Sequence, residues 1–347
     1  MLTDFINMEL VLSVFVIFVK IMIVTSALFL SPLILTWIER KIAAHIQARL
    51  GPFRVGYHGL LQAVADTIKI LTKEDTMPNN ADKWLFKIAP AIALVPAMMV
   101  YVAIPFGDTI TLPFIGEQTL YISNMDVGLL YVLAIGGLSV YGFIFGGWAS
   151  NSKYALLGGL RSSAQMISYE VALSFACIGV VMLTNSLNLV DIVNKQTGGW
   201  WGIGGWNFFA FPVGPVWFMI FLIAGLAEIN RVPFDLTEDE GTLAAGYQVE
   251  YSGMRFSFFA LTEYVAMITI SVLAVLLFFG GWSAPFGLPE LPLVWFIVKT
   301  SVFIYFFMWL RFTLPRYRFD QLMTIGWKVL IPISLVTLLV TGFMVIG

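Results

Sequence analysis

AEINRVPFDLTEDEGTLAAGYQVEYSG, residues Ala227–Gly253, gathers Glu228, Arg231, Asp235, Glu238, Asp239, Glu240 and Glu250 between two long apolar runs. The chain around it is 59% hydrophobic and 12% charged, so acids this crowded at the margin of apolar sequence need a physical reason. Like charges at such spacing require counter-ions or bound protons. The flanking runs, 209–228 and 256–280, are long enough to cross a bilayer, which makes the segment a charged loop at a membrane surface.

Composition carries the same reading outward. A mean hydropathy of +0.88, with 30 Phe, 11 Trp and 15 Met in 347 residues, excludes an ordinary soluble domain and describes an all-α polytopic membrane protein. The 30 Gly suit closely packed membrane helices. Eight apolar segments reach spanning length: 10–38, 85–105, 126–148, 160–184, 209–228, 256–280, 293–311 and 323–346. The first begins with Asp4 and Glu9 and runs too long for a cleaved signal peptide, so it is expected to remain in the protein. No soluble domain, low-complexity linker or strong repeat interrupts the chain, which reads as one membrane domain over 1–347.

Fifteen of the 19 Lys and Arg fall in the loops 39–87, 149–162, 229–256 and 311–322, against Lys195 alone in the opposite loops. The excess of basic residues puts these loops in the cytoplasm, and an even number of spans then puts both termini outside. Within the first of them, HGLLQAVADTIKILT (58–72) places Leu60, Leu61, Val64, Ile68 and Leu71 on one helical face. At fifteen residues with an Asp and a Lys it is too short and polar to span, and reads as an amphipathic helix lying on the membrane. The external loops at 105–125 and 185–208, rich in Gly, Pro, Trp and Thr, read as structural.

The catalytic inventory is sparse. One cysteine, Cys177, cannot ligate an iron–sulfur cluster, and His45 and His58 lie outside the spans, so a membrane haem with two axial histidines is not available. GIGGW at 202–206 lacks the spacing of a dinucleotide fingerprint. The chain is expected to bind no redox cofactor of its own.

What the spans do contain is charge. Glu170, Glu228 and Glu263, with Lys20 and Lys299, lie within or at the ends of apolar segments, where an ionised side chain costs about 2.5–3.5 kcal/mol on insertion scales. Burial can bring a carboxyl's titration into the physiological range, and Tyr169 and Tyr264 stand beside Glu170 and Glu263, so a proton path is the functional reading. The structural alternative is that Lys299 pairs with Glu263 or Glu170 to hold helices together. Glu228 and Arg231, three apart, can pair if their helix persists to Pro233. In the loop, Thr237 and Glu240 have capping-box spacing for a short helix toward Leu243 and Ala244, which leaves Asp235 and Glu250 unexplained.

At this level of detail the segment AEINRVPFDLTEDEGTLAAGYQVEYSGMRF closely resembles the large core membrane subunit of the proton-pumping NADH:quinone oxidoreductases, the respiratory complex I family. ERKIAAHIQARLGPFRVG (39–56), GLLQAVADTIKILTKED (59–75), GWASNSKYALLGGLRSSAQMISYEVALSF (147–175) and RFTLPRYRFDQLMTIGWK (311–328) are similar to the same family in the same order. The resemblance implies an eight-helix subunit in a bacterial plasma membrane. It would form the membrane side of a chamber for ubiquinone or menaquinone. Peripheral subunits would complete the chamber and supply electrons from a terminal iron–sulfur cluster, and small and antiporter-like membrane subunits would be its other neighbours.

Carried over by the same resemblance, the loop acids are Asp235, Glu238 and Glu240 beside Arg231 and Phe234, and the buried acidic route is Glu170, Glu228 and Glu263, with Glu250 near the loop's exit. Glu39, Arg40, Arg49 and Arg54 match the motif at the chamber mouth, and Asp66 an acid on the surface helix. Phe53, Tyr57 and Thr242 depart from the pattern, where relatives carry Asn, Pro and a third glutamate. Two other classes, a stand-alone cation:proton antiporter and the membrane anchor of an energy-converting hydrogenase, also use buried acids. The first would require a matching pair of interrupted helices, which this sequence lacks.

Overall fold

The computed structural model describes residues 8–112, 116–198, 202–235 and 246–346. Helix α1 (Met8–Ile46) leads through a short 3-10 turn (Tyr57–Gly59) to α2 (Gln62–Thr72) and α3 (Lys83–Met99). A two-stranded hairpin, β1 (Thr109–Leu112) and β2 (Gly116–Thr119), precedes α4 (Gly128–Ala149), α5 (Lys153–Thr184) and the short α6 (Leu189–Gln196). Then come α7 (Val213–Glu228), α8 (Gly253–Phe278), α9 (Pro292–Thr313), α10 (Phe319–Thr324), a π-helical turn (Ile325–Leu330) and α11 (Ile331–Ile346).

Among the described residues seven helical stretches are long and apolar enough to cross a membrane, where the sequence suggests eight. The difference is α7. Pro212 stands immediately before it and Asn230, at φ 54°, takes the left-handed conformation that stops it, so the fifth apolar segment yields a helix of 16 residues. At 1.5 Å per residue that is about 24 Å, short of the roughly 30 Å hydrocarbon layer. Among the described residues the regular structure is otherwise helical, except for one small hairpin between α3 and α4. There Thr109 pairs with Thr119 and Leu112 with Gly116 in an antiparallel ladder, because TITL alternates apolar and hydroxyl side chains and finds a partner strand across the turn. The connection between α5 and α7 contains α6, begun by Asn188, whose side chain accepts the Val190 N–H at 2.9 Å.

The surface helix starts later than its apolar pattern suggests. His58 sits at φ 51° within the 3-10 turn, so Leu60 and Leu61 precede α2 rather than belong to it. They remain exposed with Val64, Ile68 and Leu71, and together form an outward apolar face.

Helix α8 is the centre of the bundle, with every residue from Ser271 to Phe278 buried, while α1 exposes apolar side chains along most of its length. The end of α8 lies inside the protein, so its last carbonyls need side-chain donors. Gln196 donates to Leu276 O at 2.7 Å and Asn207 to Leu277 O at 2.7 Å. Lys299 donates to the carbonyls of Phe279, Gly281 and Ser283 at 2.8, 3.1 and 2.8 Å, with its ammonium 4.8 Å from the Trp206 ring. Lys299 therefore closes a helix end, where its positive charge complements the helix dipole, instead of pairing with Glu263 or Glu170. Lys20 likewise serves packing: it holds the hairpin through Thr119 Oγ1 and Tyr121 O.

Candidate functional site

The ionisable residues converge where α1, α7, α8 and α9 meet the segment that follows α7. That segment, 229–235, is buried although it is not helical, so its backbone needs partners inside the protein. Gln165, fully buried on α5, supplies them: its Nε2 shares two N–H groups among Ala227 O (2.8 Å), Phe234 O (2.9 Å) and Asn230 Oδ1 (3.0 Å), and Asn230 Nδ2 donates to Ser162 Oγ at 3.0 Å. Phe234 is clamped between Tyr317, stacked at 5.8 Å, and Tyr169, also at 5.8 Å.

This clamp turns Arg231 away from Glu228. The pairing of those two that their spacing suggests requires a continuous helix, and the helix ends at Glu228. The guanidinium of Arg231 instead reaches Glu39 on α1, 3.1 Å from Oε2, with both side chains under a tenth exposed. Tyr264 Oη donates to the same Glu39 oxygen at 2.8 Å, and Arg311 from α9 pairs with Oε1. The Tyr264 ring lies 4.6 Å from the Arg231 guanidinium. One carboxylate thus faces two guanidiniums, and Arg231 lies within electrostatic range of a second carboxylate, Glu263.

Glu263 is bonded in turn to the far end of the acidic stretch. Its Oε1 accepts from Tyr247 Oη and from Gln248 Nε2, each at 3.0 Å. Glu170 on α5 and Glu228 at the end of α7 form a second acidic pair, close enough for their charges to act on each other. Glu228 Oε2 is buried with no hydrogen-bond partner among the described residues. The Glu170 carboxyl rests directly against Gly137 of α4, at a spot that a Cβ would occupy. Tyr169, expected to relay for Glu170, gives its hydroxyl to Leu322 O at 2.8 Å, next to the π turn.

The remaining candidates are distributed around this core. Asp235 is buried, 3.8 Å from the exposed Arg316. Glu250 is half-buried before α8. Arg40 pairs with Asp66 at 2.5 Å and Gln62 donates to Asp66 at 3.0 Å, which docks α2 on α1. Arg49 and Arg54 are exposed beyond α1 and join no cluster among the described residues. Glu238 and Glu240, with Thr237, Asp239, Thr242 and the expected short helix, lie outside the described residues. Among the described residues no three His, Cys, Asp or Glu side chains group as metal ligands.

A cleft of about 300 Å³ opens between the end of α1 and the 3-10 turn, lined by Trp37, Lys41, Tyr57, His58 and Leu60. Trp37 Nε1 donates to His58 O at 3.3 Å across its floor. The cleft thus sets two aromatic side chains and an imidazole beside the start of α2.

Reading by neighbourhood in sequence misses Arg311, Gln165, Asn230, Tyr247 and Gln248. A signal existed for Gln165, which shares one helical face with Ser162 inside an apolar span, where polar groups are costly unless bonded. Arg311 ends an apolar run whose partner lies 272 positions away, and nothing local points to it.

A family model described as NADH dehydrogenase matches residues 19–342. A protein of Rhizobium meliloti (strain 1021), named as a second H subunit of NADH-quinone oxidoreductase, is 56% identical over 335 residues, covering 96% of this chain and 99% of that protein. A protein of the same name from Geobacter sulfurreducens is 51% identical over 310 residues, 89% of this chain and 90% of the relative.

Proposed function

The chain belongs to the NADH dehydrogenase family, alongside the H subunits of NADH-quinone oxidoreductases, and from that premise we propose that it forms the membrane side of the quinone chamber and couples quinone reduction to proton translocation. The observation that carries this reading is the buried series of ionisable groups. Glu39 is shared by Arg231, Arg311 and Tyr264, Arg231 lies in range of Glu263, and Glu228 and Glu170 lie in range of each other.

Coupling starts from charge. The quinone tail enters from the bilayer past the cleft of Trp37, Tyr57 and His58 and the apolar face of α2, and partner subunits hold the headgroup. Two-electron reduction places negative charge near the chamber and requires two protons. A buried arginine that already stands between two carboxylates responds to that charge, because a fixed net charge in low dielectric is felt over several ångströms. The acids Asp235, Glu238 and Glu240 of the loop take part first, then Glu263, Glu228 and Glu170, with Glu250 at the loop's exit. Antiporter-like subunits further along the membrane arm follow by electrostatic coupling. Electrons come from an iron–sulfur cluster in a peripheral subunit; this chain contributes no redox centre.

In the same reading α7 and the buried segment 229–235 together make the eighth crossing. Both termini then lie outside, and the basic loops face the cytoplasm of a bacterial plasma membrane. Non-helical backbone at membrane depth is tolerated where protein covers it, which Gln165 and Asn230 supply here.

The test is quinone-linked turnover and proton pumping of the assembled complex carrying Glu240→Gln or Glu263→Gln, with electron transfer to an artificial acceptor as the assembly control. Collapse of pumping with the control intact supports coupling through these acids. Normal pumping in both variants assigns them to capping and pairing and refutes the proposal.

A further inference from the structure

The described residues on either side of 236–245 meet one face of α5. At the leading end Gln165 donates to Phe234 O at 2.9 Å. At the trailing end the 3-10 turn Gly246–Gln248 presses on Gly158, where a Cβ would lie 2.5 Å from Gly246 Cα and 2.9 Å from Tyr247 N. Gly158 and Gln165 are two helical turns apart, about 10.5 Å along the axis. The trailing anchor is also where the loop touches the intramembrane acid. Tyr247 Oη and Gln248 Nε2 both donate to Glu263 Oε1, and Gln248 Nε2 lies 3.0 Å from Tyr247 Oη, closing a ring of three groups. Tyr247 is fully buried, its ring held edge-on between Phe143 at 5.0 Å and Phe259 at 5.3 Å.

We infer that Tyr247 and Gln248 are positioning residues that tie the turn Gly246–Gln248 to Glu263, so that displacement of this turn withdraws two hydrogen-bond donors from that carboxyl. The inference rests on the coupling role proposed for Glu263. Its physical basis is that two donors on one carboxyl oxygen fix the rotamer and bias the protonation state, and their removal changes both. Phe143 and Phe259 flank the Tyr247 ring on two sides, so the hydroxyl leaves Glu263 when the backbone turn moves and not by side-chain rotation alone. Movement of the turn is thereby delivered as a change in hydrogen bonding at Glu263.

The experiment uses the assembled complex with Tyr247→Phe and, separately, Gln248→Leu, each in the native background and together with Glu263→Gln. The readouts are quinone-linked proton pumping and the infrared difference spectrum on quinone reduction, with artificial-acceptor activity as the assembly control. Each single variant is expected to lower pumping about two- to tenfold, the equivalent of one net hydrogen bond. Neither lowers it further once Glu263 is Gln, and the carboxyl band abolished by Glu263→Gln is shifted in both. Losses that add to that of Glu263→Gln overturn the inference, as does an unshifted band with normal pumping while Glu263→Gln alone collapses it. Normal pumping by Glu263→Gln refutes the coupling role itself, an outcome separate from the other two.

Discussion

Glu39→Gln removes the one carboxylate shared by two guanidiniums while keeping the side chain's shape. Arg231 is 4% exposed and lies 3.1 Å from Glu39 Oε2, a geometry worth about 4 kcal/mol for charges about 4 Å apart at an effective dielectric constant near 20. Removing one partner of a buried pair costs about 3–5 kcal/mol, because the other charge stays buried and uncompensated. Arg231 cannot escape by losing its proton, since a guanidinium stays charged in proteins. Arg311 is 31% exposed and can turn its head to water, so its share of the loss is small. The Tyr264 ring at 4.6 Å keeps its contact with the guanidinium, so that contribution is the same in parent and variant. A net loss of about 3 kcal/mol follows, more than a hundredfold in the folded-to-unfolded ratio.

Rescue is expected from the same charges. Arg231→Met added to Glu39→Gln removes the stranded charge, and buried pairs replaced by apolar groups of similar volume are close to neutral. The double variant is therefore more stable than Glu39→Gln alone. Denaturant titration of the detergent-solubilised complex gives the midpoints, and native gels give the amount assembled. If Glu39→Gln stays within about 1 kcal/mol of the parent, or the double variant is no better than the single, the ion pair does not hold α1 to the rest of the bundle.

Two further outcomes follow from the same structure. Lys299→Met leaves the carbonyls of Phe279, Gly281 and Ser283 without their shared donor, and each lost bond to a charged group is worth about 1.5–3 kcal/mol; amide exchange in the last turn of α8 should accelerate, and unchanged protection there would contradict the capping role. Partial burial raises the Asp66 carboxyl, but hydrogen bonds from Arg40 and Gln62 and the charges of Arg40 and Lys69 hold it below its ordinary value. A depressed carboxyl contributes stability that is complete above the ordinary value, about 3.9, and is lost only as pH falls through the folded pKa. Distances between spin labels on α1 and α2 should therefore be constant from about pH 6 to 8, and a transition inside that window would show that another group docks α2.

The fold was largely legible because hydropathy is a local property. Seven of the eight apolar segments appear as helices of spanning length, and the amphipathic face of α2 is where Val64, Ile68 and Leu71 put it, although the helix starts after Leu60 and Leu61. The site was legible as a set of residue types but not as a set of pairs. Sequence proximity joined Glu228 to Arg231, whereas the structure joins Arg231 to Glu39 across 192 positions and Arg311 to the same glutamate across 272. One local cue did exist. Asn at the left-handed position followed by Pro three residues later is a helix stop, and INRVP contains it, so the spacing rule for helical pairs did not apply.

That stop accounts for several features at once. Because α7 ends at Glu228, that residue's carboxyl Oε2 is buried, and the carboxyl lies within electrostatic range of Glu170. In the proposed eighth crossing the missing length of about 6 Å would be supplied by backbone that is not helical, and such backbone survives away from water only if every polar group finds a partner. Ser162 and Gln165, polar residues within an apolar helix, answer that need by bonding Asn230, Ala227 and Phe234. The same bonds orient the next residue, Arg231, toward α1. A helix four residues longer would have satisfied its own backbone, needed no polar residues on α5, and aimed Arg231 along its own axis toward Glu228. The short α7 is thus what allows one arginine to connect α1 with the acids of α8.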